Sequence, residues 1–151
     1  MDLVAALDGL IPALMAEHDI PGVSVALIED ARVAWAKGFG VKHGETDEPV
    51  DTSTVFEAAS LSKPVFAYGI LRLVDEGRLT LDTPLNGLLD EAFVPDDPRA
   101  ASITVRHALS HSGGLPNWRG DDPLVTAFEP GSAFRYSGEG YVWLSKVAEA
   151  L

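Results

Sequence analysis

The sequence predicts an α+β fold, and three observations carry that prediction. Apolar residues recur at helical spacing in four separate stretches, whereas only one adjacent pair of stretches has the character of strands. The chain, at 151 residues, is long enough to bury roughly two-thirds of its unfolded surface without a covalent or metal staple. It also contains no cysteine, so any core must come from packing alone.

The elements follow in order. Leu3, Ala6, Leu7, Leu10, Ile11 and Leu14 share one helical face, which predicts a first helix ending near His18 and kinked at Pro12. After Pro21 and Gly22, the run Val23–Ile28 is apolar on both alternating faces and stops at Glu29 and Asp30. It reads as a strand covered on both sides, with Val33–Lys37 as its hairpin partner. A polar loop occupies Val41–Thr54. Helices are predicted at Ser60–Glu76 with Gly77 as its C-cap, at Thr104–Ser112 with Gly113 as its C-cap, and at Gly140–Leu151. Val94–Pro98 and Pro116–Pro123 read as loops, and the acidic pairs Asp96-Asp97 and Asp121-Asp122 within or beside them read as solvated charge. Two strands alone make a marginal sheet, so further strands are expected to complete it.

Composition narrows the function. Eleven Lys+Arg against 23 Asp+Glu leave a formal net charge of −12, the wrong sign for a phosphate-binding surface, so nucleic acid is not an expected partner. Without cysteine there is no thiolate zinc site, iron–sulfur centre or cysteine nucleophile. No apolar run approaches the roughly eighteen residues of a membrane span. Met1 is followed at once by Asp2, with no basic and apolar leader. The expected location is therefore the cytoplasm, with a periplasmic or secreted one left open to removal of a leader.

The strongest chemical signal is Ser60-Leu-Ser-Lys63 at the start of a helix that is apolar nearly all round and therefore expected to be buried. Residues three apart share a helical face, so the Ser60 hydroxyl and the Lys63 amine can meet. Desolvation of the lysine favours its neutral, basic form, which makes the serine a usable nucleophile. The competing motifs are weaker. His107 and His111 stand four apart, but Ala108 and Leu109 sit where a metalloprotease helix needs glutamate, so no metal is expected and the histidines are assigned to buttressing the Ser112–Pro116 turn. Gly38-Phe-Gly40 is followed by an acidic, proline-bearing loop rather than a helix, which excludes a dinucleotide site.

The surroundings of Ser60 add a resemblance. Phe56-Glu-Ala-Ala-Ser60-Leu-Ser-Lys63-Pro, Leu73-Val-Asp-Glu-Gly77-Arg-Leu-Thr-Leu-Asp82, Ile103-Thr-Val-Arg-His-Ala-Leu-Ser-His-Ser-Gly-Gly-Leu-Pro116 and Tyr136-Ser-Gly138 resemble, in order, segments of the serine β-lactamase and penicillin-recognising enzyme family. The likeness is to its class C, esterase and D-aminopeptidase branch. It implies a β-lactamase/transpeptidase-like fold, of which residues 1–151 would be the N-terminal portion: helix, strand pair and loop over 1–55, nucleophile helix and helical lobe over 56–151. It implies that Ser60 is the acylated nucleophile, that Lys63 helps deprotonate it, and that Tyr136 relays protons, with no cofactor. Gly138 falls at the substrate-binding position where β-lactamases and transpeptidases usually carry Asn, which favours an esterase or other promiscuous hydrolase over a β-lactam-specific enzyme.

The family's third motif, a Lys-Thr-Gly or His-x-Gly segment carried on a later strand, is not found on any strand predicted from these residues. The implied function is hydrolysis of ester or amide bonds in a small molecule, β-lactams included, through an acyl-serine intermediate. A second expectation comes from another class: an inactive fragment or binding remnant that folds only with a complementary C-terminal segment or a second copy.

Overall fold

The computed structural model describes residues 2–151, which cluster into two compact units, divided between Glu57 and Ala58. The first unit holds α1 (Leu3–Glu17), β1 (Gly22–Glu29) and β2 (Arg32–Gly40); the second holds α2 (Ser62–Asp75), α3 (Val105–Leu109) and α4 (Gly138–Ala150). Among the described residues no helix is long and apolar enough to cross a membrane.

In the first unit, Asp2 caps α1 by accepting the amides of Val4 and Ala5 at 3.1 and 3.3 Å. The helix runs through Pro12 without a break in its assignment. β1 and β2 pair antiparallel from Gly22↔Gly40 to Glu29↔Arg32, and a register shift at Leu27/Ile28 leaves Ala34 as the bulged residue. Among the described residues the sheet consists of this hairpin alone. Ile28 and Val33 are exposed.

The hairpin loop is two residues, Asp30 and Ala31, both at positive φ, 48° and 58°. That is the conformation of a type I′ turn, where an Asp or Asn followed by Gly is the best-suited pair. Ala31 carries a Cβ in a left-handed conformation that disfavours it by about 1 kcal/mol or more. Ala31→Gly should therefore raise the urea midpoint of the chain, by about 0.5–1 kcal/mol after the added flexibility of the unfolded chain is subtracted. An unchanged or lowered midpoint would refute the turn assignment.

The second unit has one continuous core, in which Ile70 of α2, Leu85, Ile103, Val105 and Ala108 of the middle segment, and Trp143, Leu144 and Val147 of α4 are all nearly inaccessible. Trp143 stacks on Phe93 with ring centroids 5.3 Å apart. The sequence suggests that α2 is buried all round. Instead Phe66, Ile70, Leu73 and Val74 form one stripe on the core, while Val65, Tyr68 and Leu71 face away and are exposed. The reason is geometric, since every partner of α2 in this core lies on one side of it.

Helix limits depart from expectation in two places. Ser60 lies in a 3₁₀ turn, Ala59–Leu61, that precedes the α-helical hydrogen bonding of α2. α3 is one turn shorter than its pattern, and the chain reverses at His111, at φ 56°, rather than at Gly113. Its start is held by a reciprocal cap, the Thr104 hydroxyl accepting the His107 amide at 3.4 Å and His107 Nδ1 accepting the Thr104 amide at 3.3 Å.

Asp97 overturns the assignment of the 96–97 pair to solvent. Asp96 is exposed, but the Asp97 side chain is 3% exposed. Its carboxylate accepts the Arg99 amide and Nε at 3.0 Å each, Arg99 Nη2 at 3.0 Å, and the Thr126 amide and hydroxyl at 2.7 Å each. Arg99 Nη2 also donates to the Thr126 carbonyl at 2.7 Å. A single buried carboxylate thus anchors the loop around Thr126 to the core.

Candidate active site

Beyond Thr126 the chain runs back alongside the reversal that follows α3. The Ala127 amide donates to Gly114 O at 2.9 Å, Gly131 to Ser112 O at 2.8 Å and Arg135 to His111 O at 2.9 Å. These bonds deliver Tyr136 to the start of α2. The Ser137 hydroxyl then caps α4, accepting the Gly140 amide at 2.9 Å while donating to Pro116 O at 2.9 Å.

At the start of α2, Lys63 Nζ donates to Ser60 Oγ at 3.0 Å, the pairing expected from their spacing. Ala59, immediately before Ser60, has φ 42°, a left-handed conformation that an alanine rarely adopts. Backbone strain of this kind persists only where the surroundings enforce it, and here it adjoins the reactive hydroxyl. Lys63 Nζ lies 5.2 Å from the centre of the Tyr136 ring and 5.9 Å from that of Tyr141. The Ser60 hydroxyl and the Lys63 ammonium hold the Tyr136 phenol below its ordinary pKa, because both stabilise its phenolate. Tyr141, deeper and beside Tyr136, is pushed the opposite way by burial.

Ser60, Lys63 and Tyr136, three residues drawn from two segments 73 or more positions apart, are therefore brought together. Gly138 lies at the same site, two residues beyond Tyr136 at the first turn of α4. Its amide donates to Asn117 Oδ1 at 3.1 Å, and a Cβ built on it would run into the Asn117 carbonyl, with Asn117 Oδ1 at 3.0 Å and the Trp118 ring at 3.3 Å. The close approach of the 117–118 loop explains why this position is glycine: any side chain here would displace Asn117 and Trp118. A cleft of about 300 Å³ opens beside Lys63, between Phe66, Trp118, Gly138, Tyr141 and Val142. Its walls are largely aromatic and aliphatic, and Trp118 is mostly exposed at its edge.

Sequence reasoning missed four contributors, His111, Tyr141, Asn117 and Trp118. The His111 ring lies against Tyr136, with centroids 4.5 Å apart, and stacks on Tyr141 at 5.1 Å. His107 is engaged in the α3 cap, with its Nε2 close over Gly131. No group of three or more His, Asp or Glu side chains among the described residues is arranged to hold a metal ion. No sequence signal could have picked out Tyr141 or Trp118, since both read as ordinary apolar positions.

Comparison with known proteins agrees with this geometry. The fold and the Ser-x-x-Lys cluster place the chain among proteins with a β-lactamase/transpeptidase-like fold. Residues 7–151 match the family model described as Beta-lactamase, and the chain belongs to that family. It is 32% identical over 155 residues to penicillin-binding protein 4 of Amycolatopsis lactamdurans, an alignment covering 92% of this chain and 40% of that protein. It is 31% identical over 118 residues to esterase EstB of Burkholderia gladioli, covering 77% of this chain and 30% of that protein. The structure superimposes on the octameric penicillin-binding protein homologue from Pyrococcus abyssi with a TM-score of 0.81 and 31% identity, over 99% of this chain and 39% of that one. The chain thus spans well under half the length of these relatives, and its fold is a corresponding part of theirs.

Proposed function

We propose that this protein is a serine acyl hydrolase that cleaves ester or amide bonds of small molecules through an acyl-Ser60 intermediate. The observation that carries the proposal is the 3.0 Å contact of Lys63 Nζ with Ser60 Oγ, with the Tyr136 phenol beside both. The Ser60 hydroxyl passes its proton to the Lys63–Tyr136 pair as Ser60 Oγ bonds to the substrate carbonyl carbon. Collapse of the tetrahedral adduct breaks the bond to the leaving alcohol or amine, which takes its proton through Tyr136. Water then attacks the acyl carbonyl, gives its proton back through Tyr136 and Lys63, and releases the acid with Ser60 restored. The lowered pKa of Tyr136 supports this relay, because it makes the phenolate an accessible partner.

Two features support esters over β-lactams as substrates. Position 138 offers a backbone amide already engaged by Asn117 in place of a free side-chain carboxamide. The adjoining cleft is mainly apolar, which suits a hydrophobic acyl or alcohol group. The names of the esterase and penicillin-binding relatives are compatible with both bond types.

The expected result with a fluorophosphonate probe is stoichiometric labelling at Ser60 that Ser60→Ala abolishes, together with hydrolysis of p-nitrophenyl acetate. Labelling that persists in Ser60→Ala would sink the mechanism. No labelling of a well-folded wild type would favour the binding remnant instead.

A further inference from the structure

The geometry points to His111 as the positioning residue that holds Tyr136 against Ser60 and Lys63, through a clamp that requires its Nδ1 to be unprotonated. The inference rests on the acyl-transfer role proposed for Tyr136. His111 grips the chain on both sides of that tyrosine: its backbone carbonyl accepts the Arg135 amide at 2.9 Å, and its Nδ1 accepts the Ser137 amide at 3.1 Å. Its ring fills the space between, lying 4.5 Å from the Tyr136 ring, 5.1 Å from Tyr141 and 5.9 Å from the edge of Phe134. Two hydrogen bonds to the residues flanking Tyr136 and the ring contact thus fix the position of its side chain. The left-handed backbone at His111 aims both its carbonyl and its ring at the same neighbour, and such a conformation is held only by its surroundings.

An amide N–H can donate only to a lone pair, so the bond from Ser137 selects the neutral tautomer with hydrogen on Nε2. Protonation at Nδ1 would set two N–H groups against each other and open the clamp. The titratable and charged groups facing the ring are Lys63 from α2, Tyr136 from the preceding loop and Tyr141 from α4. Burial, and then the Lys63 ammonium, hold His111 below the ordinary imidazole range, so the clamp stays closed at neutral pH. Acidification through that lowered pKa charges the ring and releases Tyr136. A displacement of about 1 Å at a catalytic group can cost on the order of a hundredfold in rate.

The test compares wild type, His111→Asn and His111→Phe by the rate of fluorophosphonate labelling of Ser60 across pH, alongside ¹⁵N NMR of the histidine rings. Asn tolerates the left-handed backbone and places Oδ1 where Nδ1 accepts, but it does not titrate. The expected wild type shows a neutral Nε2–H ring at pH 7 and a labelling rate that falls on acidification with the midpoint NMR gives for His111. His111→Asn, which keeps the acceptor but gives up the ring contacts, should label faster than His111→Phe at neutral pH and lose that acid limb. His111→Phe, which keeps a ring and removes the acceptor, should label at least tenfold more slowly at saturating probe with little change in probe affinity.

An acid limb unchanged in His111→Asn would overturn the inference, as would a His111→Phe enzyme of wild-type rate or a ring protonated on Nδ1 at pH 7. Should His111→Phe fail to fold, the His111→Asn profile and the ring tautomer decide. A wild type that never labels would defeat the acyl-transfer reading alone, while the tautomer and the Ser137 amide shift would still report whether the clamp exists.

Discussion

Lys63→Met is expected to slow acylation of Ser60 by roughly 10²–10⁴-fold, the range over which a positioned proton acceptor contributes to such a step. Methionine keeps the length and apolar stem of lysine, so the packing beside Phe66, Tyr136 and Tyr141 should survive and the loss should report chemistry. Two effects combine in the number. The substitution removes the amine that contacts Ser60 Oγ, and it removes the charge that stabilises the Tyr136 phenolate. The Tyr136 phenol should accordingly titrate higher in Lys63→Met than in wild type, a shift readable by ultraviolet absorbance. A variant that labels within threefold of wild type would show that proton abstraction does not pass through Lys63.

Asp97→Ala is the second large expectation, and its effect is on stability. Removing the carboxylate orphans the Thr126 amide and hydroxyl, both buried, and frees the loop that leads to Tyr136. Breaking a buried, hydrogen-bonded charge typically costs about 3–5 kcal/mol, and partial solvation of Arg99 places the expected loss near 3 kcal/mol, measured as a urea midpoint shift. The same group makes stability depend on pH. Hydrogen bonds from Arg99 and Thr126 outweigh burial and hold Asp97 well below the carboxylate value of 3.8. A depressed folded pKa contributes stability that is fully present above the unfolded value. That contribution is lost as pH falls below about 4, toward the folded pKa. Asp97→Ala should flatten the acid side of the stability profile, and a wild-type profile in the variant would refute the assignment. Because Asp97 anchors the segment that carries Tyr136, its loss should also slow Ser60 labelling without touching the nucleophile.

The Gly138 position bears on the choice between ester and amide substrates. Its glycine is forced by the 117–118 loop rather than left vacant, since Asn117 Oδ1 occupies the amide and Trp118 overhangs the Cα.

Much of the fold was legible from local pattern. The helices, the hairpin and the Ser60–Lys63 pairing depend on spacings of three or four residues on a helix and two on a strand, and such spacings are properties of the backbone itself. Even the two-residue turn at Asp30–Ala31 was bracketed by its flanking strands. Burial was less legible: Asp96, Asp121 and Asp122 are exposed as their loops suggest, but other positions depart from pattern. α2 is apolar on most sides, yet only its Phe66–Ile70–Val74 stripe meets a core, and Asp97 looks like its exposed neighbour Asp96 yet is enclosed. Burial depends on which other segments arrive, and no periodicity records that.

The candidate site divides along the same line. The sequence by itself determined that Ser60 and Lys63 are neighbours on one turn, which is what proposes them as nucleophile and base, and the family resemblance added Tyr136 as a candidate. Only the tertiary structure decided that Tyr136 reaches them, through backbone bonds joining residues 127–135 to 111–114, and that the His111 ring lies against it. The physical reason is range: a helical turn is written in four residues, whereas the clamp joins groups 26 positions apart whose meeting depends on the whole helical unit having folded.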